Sequence, residues 1–122
     1  MKHSPGFIKL TKAARRHVRE ITAGAVKRKI GMHERFILVD VREDHEWEKS
    51  RIPGAIHISR GILERDIEAL IPGKTTEIVL YCGGGYRSVL AAESLQRMGY
   101  RNVASMKGGW RGWLRLRGKT ER

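Results

Sequence analysis

Three apolar residues, Ile78-Val79-Leu80, run directly into Tyr81-Cys82-Gly83-Gly84-Gly85-Tyr86-Arg87-Ser88, and Val89-Leu90-Ala91-Ala92-Glu93-Ser94-Leu95 follows. The first run has the character of a buried strand, and the last has that of a helix. The chain must therefore pass from strand to helix within a few residues, and three glycines permit that turn. The only cysteine of the 122 residues sits on this loop. Glycines let backbone N–H groups turn inward as an anion nest, and a helix start adds positive potential. The same field favours thiolate over thiol, and Arg87 would add fixed charge and donors. The loop reads as a cradle for an activated sulfur.

Around it, strands and helices alternate. Phe36-Ile37-Leu38-Val39-Asp40 reads as a parallel strand buried on both faces. Asp44 is placed to cap a short helix over residues 45–49. Ile52-Pro53-Gly54 makes a turn, and residues 55–58 a short strand. Leu63, Ile67 and Leu70/Ile71 recur at helical spacing until Pro72-Gly73 closes that helix. The helix after the Cys82 loop runs to Met98, with Gly99 as its cap. Residues 102–106 give a last strand, and Gly108-Gly109-Trp110 turns into a final helix. At the N-terminus, residues 1–10 read as loose, with Ser4-Pro5-Gly6 a turn signal. Thr11 then caps a helix to about residue 23, with Leu10, Ala14, Val18 and Ile21 as its stripe. Lys12, Arg15, Arg16 and Arg19 make a basic outer face. Residues 117–122 read as a frayed tail. The pattern predicts one α/β domain over residues 1–122 with a mostly parallel sheet. Ligands bind beyond the carboxyl ends of such strands, which places Asp40, Arg42 and the Cys82 loop on one rim.

Composition excludes several classes. No apolar run approaches the roughly 20 residues of a membrane helix, and no apolar segment follows the basic N-terminus, so neither a membrane span nor a signal peptide is expected. A single cysteine allows no internal disulfide and no resolving partner, and a reducing, cytoplasmic compartment is the expectation. The net charge is +12, from 25 Lys/Arg against 13 acids. Residues 1–30 hold nine of those cations and one acid, Glu20. Such a segment suits nucleic acid, anionic lipid or an acidic protein, although a solvated helix face is the plainer reading. With no zinc-finger spacing, RNA-recognition signature or basic zipper, nucleic acid is not an expected partner. The five histidines show no ligand spacing, so no metal or other cofactor is expected.

Four stretches in order resemble a single-domain rhodanese of the thiosulfate sulfurtransferase family. They are Asp40-Val41-Arg42-Glu43 with Glu46-Trp47, Ile52-Pro53-Gly54-Ala55-Ile56-His57, Tyr81 to Ser88, and Gly108-Gly109-Trp110. The likeness runs from about residue 11 to residue 116. It implies a rhodanese-like α/β fold, a five-stranded, mostly parallel sheet with helices on both faces. It also implies sulfur transfer through a persulfide on Cys82, with Gly83, Gly84, Gly85, Tyr86 and Arg87 binding the anionic substrate. Asp40 and Arg42 are expected to support the rim rather than touch substrate, with Glu46 a candidate partner of Arg42. Arg60 is a weaker candidate for anion binding. His57, Trp110 and Trp113 are expected to be structural. One departure stands out: rhodaneses often carry Gly-His before Ile-Pro-Gly-Ala, and this chain has Ser50-Arg51. The implied partners are a small anionic sulfur donor and an external thiol acceptor, a protein thiol included.

Two other readings share these residues. Cysteine-dependent phosphatases and arsenate reductases use a similar loop with five residues between Cys and Arg. Here four residues, 83–86, separate Cys82 from Arg87, and the smaller nest suits sulfur better than phosphate. A rhodanese-like domain can also serve as a binding module, here docking an acidic partner through the basic N-terminal helix.

Overall fold

Along the central strands, successive apolar side chains go to opposite sides of one sheet, so both faces need cover. Val39, Ile78 and Leu80 face one cluster with Ala14, Leu63, Ile67, Val89, Ala92 and Leu95. Leu38, Val79 and Tyr81 face the other, with Ala23, Val26, Met106 and Trp113. The computed structural model describes residues 2–122. In chain order they form α1 (Pro5–Arg15), β1 (Arg19–Thr22), α2 (Ala23–Gly31), β2 (Ile37–Asp40), α3 (Asp44–Lys49) and β3 (Ile56–His57). A 3-10 turn (Arg60–Ile62) leads to α4 (Leu63–Leu70), β4 (Ile78–Tyr81), α5 (Tyr86–Arg97), β5 (Val103–Lys107) and α6 (Gly109–Arg115). The sheet order is β1-β5-β4-β2-β3, and every neighbouring pair is parallel. Residues from α1, α4 and α5 lie in one apolar cluster and residues from α2 and α6 in the other, so the expected two-sided α/β fold is present. Among the described residues no helix is long and apolar enough to cross a membrane.

The N-terminal third corrects three expectations. Residues 5–10 are helical, not loose, because Pro5 opens α1 and its fixed φ suits the first helical position. Residue 1, part of that expectation, lies outside the described residues. Thr11 does not cap this helix; it is buried within it, and its hydroxyl donates to the Ile8 carbonyl at 3.0 Å. The predicted helix to residue 23 stops at Arg15, and Leu10 of its proposed stripe is exposed. β1 follows, paired to β5 from Arg19↔Ala104 to Thr22↔Lys107. Its sequence, Arg-Glu-Ile-Thr, has one apolar residue because an edge strand is half exposed. Thr22 then caps α2 by accepting from the Ala25 N–H at 3.0 Å.

Smaller corrections follow. At α3 the N-cap is Glu43, not Asp44, which is the first helical residue. The C-terminal residues 117–122 are held rather than frayed. Arg51 and Glu121 exchange backbone hydrogen bonds, each 2.9 Å, and Trp113 Nε1 donates to the Lys119 carbonyl at 2.9 Å.

The Gly108-Gly109 pair is what lets α6 approach the end of β4. Gly109 has φ +54°, and a Cβ there would collide with the Cys82 carbonyl oxygen and lie 2.9 Å from the Gly83 carbonyl carbon. Neither neighbour is a side chain that could swing away. Gly109→Ala should therefore cost about 3 kcal/mol or more in a denaturant titration, from backbone strain plus steric displacement. A loss below about 0.5 kcal/mol, the range of an ordinary surface change, would show that this approach is not needed.

Candidate active site

Cys82 is the first residue beyond β4, and Gly85, at φ +94°, is the N-cap of α5. The Cys82 Sγ accepts the Gly85 N–H at 3.1 Å and the Ser88 N–H at 3.4 Å. Its thiol donates to Ser88 Oγ at 3.5 Å, and Ser88 Oγ in turn is 2.7 Å from Ser105 Oγ on β5. These groups are buried, with Cys82 only 1% exposed. The carbonyls of the same loop point the other way. Cys82 O accepts the Trp110 N–H at 2.7 Å and Gly83 O the Arg111 N–H at 3.0 Å. First-turn N–H groups of a helix have no partner within it, and α6 spends two of them on this loop. The outward carbonyls and the inward N–H groups are one arrangement seen from two sides.

A pocket of about 450 Å³ opens at this sulfur. Its lining includes Cys82, Gly83, Gly84, Tyr86 and Arg87, with Arg111 at the loop. His3 and Phe7 also line it, brought there by α1 and the residues before it. They cluster with Tyr86: ring centroids are 4.2 Å apart for His3–Tyr86 and 5.8 Å for Phe7–Tyr86. The Arg15 guanidinium lies 4.8 Å from the Tyr86 ring centre. Glu43, His45 and Glu46, at the N-terminal end of α3, complete the lining. Sequence reasoning misses His3 and Phe7, because residues 1–10 read as loose. Pro5 as a helix opener was the available signal for Phe7; nothing in the sequence pointed to His3.

Arg87 meets a carboxylate. Its Nη1 donates to Glu46 Oε1 at 3.2 Å and its Nη2 to Oε2 at 3.5 Å. Burial alone would lower the Arg87 pKa, but the Glu46 hydrogen bonds and charge outweigh it and hold the guanidinium above its usual value. Burial alone would likewise raise Glu46, but Arg87 and the Glu43 N–H, 2.9 Å from Oε1, hold it below the usual carboxylate value. Glu46 was expected to partner Arg42, and it does not.

Arg42 instead forks onto Asp40. Its Nε lies 3.0 Å from both carboxylate oxygens and its Nη2 2.7 Å from Oδ2. The same Nη2 donates to the Ser50 carbonyl at 2.7 Å. Both residues are buried, and their charges are compensated as burial requires. The guanidinium sits 4.5 Å from the Trp110 ring centre, and Trp110 is the residue that holds the Cys82 carbonyl. Asp40 and Arg42 do not line the pocket; they brace the α6 end of the loop. His57 Nε2 donates to the Arg42 carbonyl at 2.9 Å, and the ring stacks on Trp47. Trp113 is buried in the core, whereas Trp110 is only partly buried and caps Arg42. Arg60 is not at the site: it pairs with Glu64 at 2.8 Å and reaches Ser94 at 3.2 Å. Among the described residues no cluster of three or more His, Cys, Asp or Glu could hold a metal.

The model of the rhodanese-like domain matches residues 22–116. Two Bacillus subtilis proteins are similar in sequence. "Putative sulfur carrier protein YrkF" is 37% identical over 102 residues, which cover 84% of this chain but 52% of that one, so the chain spans about half of YrkF. "Putative sulfurtransferase YtwF" is 36% identical over 96 residues, covering 79% of this chain and 90% of that one. Among solved structures, a Rhodopseudomonas palustris protein described as of unknown function and "Possible Tyrosine Phosphatase" aligns with a TM-score of 0.88 at 28% identity. It covers 99% of this chain and 98% of its own, so the segment before residue 22 has a counterpart there. With the domain model matched over most of its length, and a cysteine loop, brace and parallel sheet to go with it, this chain belongs to the rhodanese-like family.

Proposed function

We propose that the protein is a sulfurtransferase that carries a sulfane sulfur as a persulfide on Cys82. One observation carries this reading: the Gly85 and Ser88 N–H groups converge on the Cys82 sulfur at the floor of a pocket edged by Arg87 and Arg111. Each N–H donated to a charged acceptor contributes about 1.5–3 kcal/mol, so the nest suits an anionic sulfur. The similarity to a protein named as a sulfurtransferase and to another named as a sulfur carrier supports the same chemistry.

With thiosulfate as donor, the Cys82 thiolate attacks the outer sulfur. The sulfur–sulfur bond of the donor breaks, and sulfite leaves with its electron pair. Cys–S⁻ and S–SO3²⁻ become Cys–S–S⁻ and SO3²⁻, with charge conserved. An acceptor then attacks the terminal sulfur and restores Cys–S⁻. Cyanide gives thiocyanate; a thiolate gives its persulfide. With no second cysteine in the chain, the acceptor comes from outside. A cysteine kept free for such exchange fits a reducing compartment such as the cytoplasm. The phosphatase description of the Rhodopseudomonas protein does not carry over to this chain, because four residues separate Cys82 from Arg87 and the Gly85 and Ser88 N–H groups are directed at the sulfur.

Steady-state formation of thiocyanate tests the reading. Thiosulfate and cyanide varied together should give the parallel double-reciprocal lines of a two-step cycle, and Cys82→Ala should lower turnover by about a thousandfold or more. Intersecting lines, or a Cys82→Ala variant as active as the wild type, would reject it.

A second reading adds a partner. Lys2, Lys9, Lys12 and Arg16 line a surface depression beside α1, and His3 belongs both to it and to the Cys82 pocket. An acidic protein carrying the acceptor thiol would be drawn there by charge. Arg15 and Arg19 are not part of this face, since Arg15 lies over Tyr86 and pairs with Glu20, and Arg19 lies in β1. Reversing Lys9, Lys12 and Arg16 to Glu should slow transfer to an acidic protein thiol by about tenfold at low salt while leaving transfer to dithiothreitol unchanged. Equal slowing of both acceptors, or of neither, would remove the docking role.

A further inference from the structure

The loop cation nearest in sequence to Cys82 is already engaged. Both terminal nitrogens of Arg87 face the Glu46 carboxylate, and Glu43 adds to the negative charge around it. A cation paired at this range presents a much weakened field to a third charge. An incoming sulfonate or carboxylate would have to share Arg87 with Glu46.

The pocket holds a second guanidinium that is not so engaged. Arg111 stands in the first turn of α6 and is fixed against the loop by its own N–H, which donates to the Gly83 carbonyl at 3.0 Å. A Cβ built on Gly84 would lie 3.1 Å from Arg111 Nη1. The tip of Arg111 thus rests over the middle glycine of the Cys82 loop, in space that a side chain at position 84 would fill. Among the described residues Arg111 takes part in no ion pair, whereas Arg15, Arg42, Arg51, Arg60, Arg65 and Arg87 all do. A positioned guanidinium with free donors suits an oxyanion better than one already forked onto a carboxylate.

We infer that Arg111 holds the anionic end of the sulfur donor, the sulfonate of thiosulfate in the simplest case. This rests on the sulfurtransferase reading and assigns within it a binding residue from outside the cysteine loop. Arg87 then serves as a positioning residue: with Glu46 it ties the start of α5 to α3. Gly84 is the position that leaves Arg111 its room.

Thiosulfate binding to the Cys82→Ser variant separates this inference from the transfer reading, since that variant binds without reacting. Titration followed by NMR at fixed ionic strength should show the dissociation constant rising about tenfold on adding Arg111→Ala, with part recovered by Arg111→Lys, which keeps the charge but not the fork. In the otherwise unaltered chain, Arg111→Ala should raise KM for thiosulfate by a similar factor and leave kcat within about twofold, as loss of uniform binding requires. Dissociation constants within about twofold of each other, or no thiosulfate binding to the Cys82→Ser variant, would overturn the inference. Arg111-dependent thiosulfate binding in a wild-type chain that forms no persulfide would instead reject the transfer reading and leave Arg111 as an anion site alone.

Discussion

The turn at the end of β4 depends on two hydrogen bonds from α6. Trp110 and Arg111 donate their backbone N–H groups to the carbonyls of Cys82 and Gly83, and those peptide units are thereby fixed with their oxygens outward. The donors of Gly85 and Ser88 are left to close on the sulfur. Everything that brings α6 to this place serves the site. Gly109 removes the Cβ that would block the approach. Trp113 anchors the helix in the core and is itself held through Lys119. The buried Asp40–Arg42 fork presses a guanidinium against Trp110. The fork is costly to bury, and its hydrogen bonds to both carboxylate oxygens and to Ser50 offset that cost.

A second layer comes from the N-terminus. The rhodanese-like match begins at residue 22, yet α1 lies before it and reaches the pocket. Its Ala14 is buried in the core cluster with Val89 and Leu95 of α5, so the helix is seated by packing. From that seat Phe7, with His3 ahead of it, faces Tyr86 and walls one side of the space above Cys82. The pocket is therefore built from two sources: a loop and brace within the family match, and an aromatic wall outside it. The basic side of the same helix points toward solvent next to the pocket mouth. Access to the sulfur and any electrostatic attraction of a partner are thus properties of one element.

How much of this the sequence carried depended on how the physics is written in it. β2 and β4 were legible because strands buried on both faces must be continuously apolar. The Cys82 loop was legible because a lone cysteine and three glycines stand between a buried strand and a helix; of these glycines, Gly85 at φ +94° is the one whose backbone requires that residue. β1 was not: an edge strand needs one buried side chain in two, and Arg19-Glu20-Ile21-Thr22 offers little period to detect. α1 was misplaced because Ser4-Pro5-Gly6 signals a turn and a helix start equally well, and only the packing of Ala14 and Thr11 decides. The Arg87–Glu46 pair was beyond reach, since the partners lie 41 positions apart and either could have chosen otherwise. Arg111 gave no sign at all; its place over Gly84 is a consequence of how α6 docks. The rim position of Asp40 and Arg42 was legible from the end of a buried strand, whereas the spacing offered Glu46 as a partner for Arg42, and the fork onto Asp40 emerges only in the fold.

The central claim is that Cys82 itself becomes the sulfur carrier, and intact mass spectrometry reads it most directly. After incubation with thiosulfate and removal of excess donor, the wild-type chain should gain about 32 Da, one sulfur, as a covalent nucleophilic cycle requires. Cyanide should return it to its starting mass, and Cys82→Ala should show no gain. A wild-type chain that acquires no sulfur from thiosulfate or from any persulfide donor, or a Cys82→Ala chain that acquires it equally, would contradict the claim.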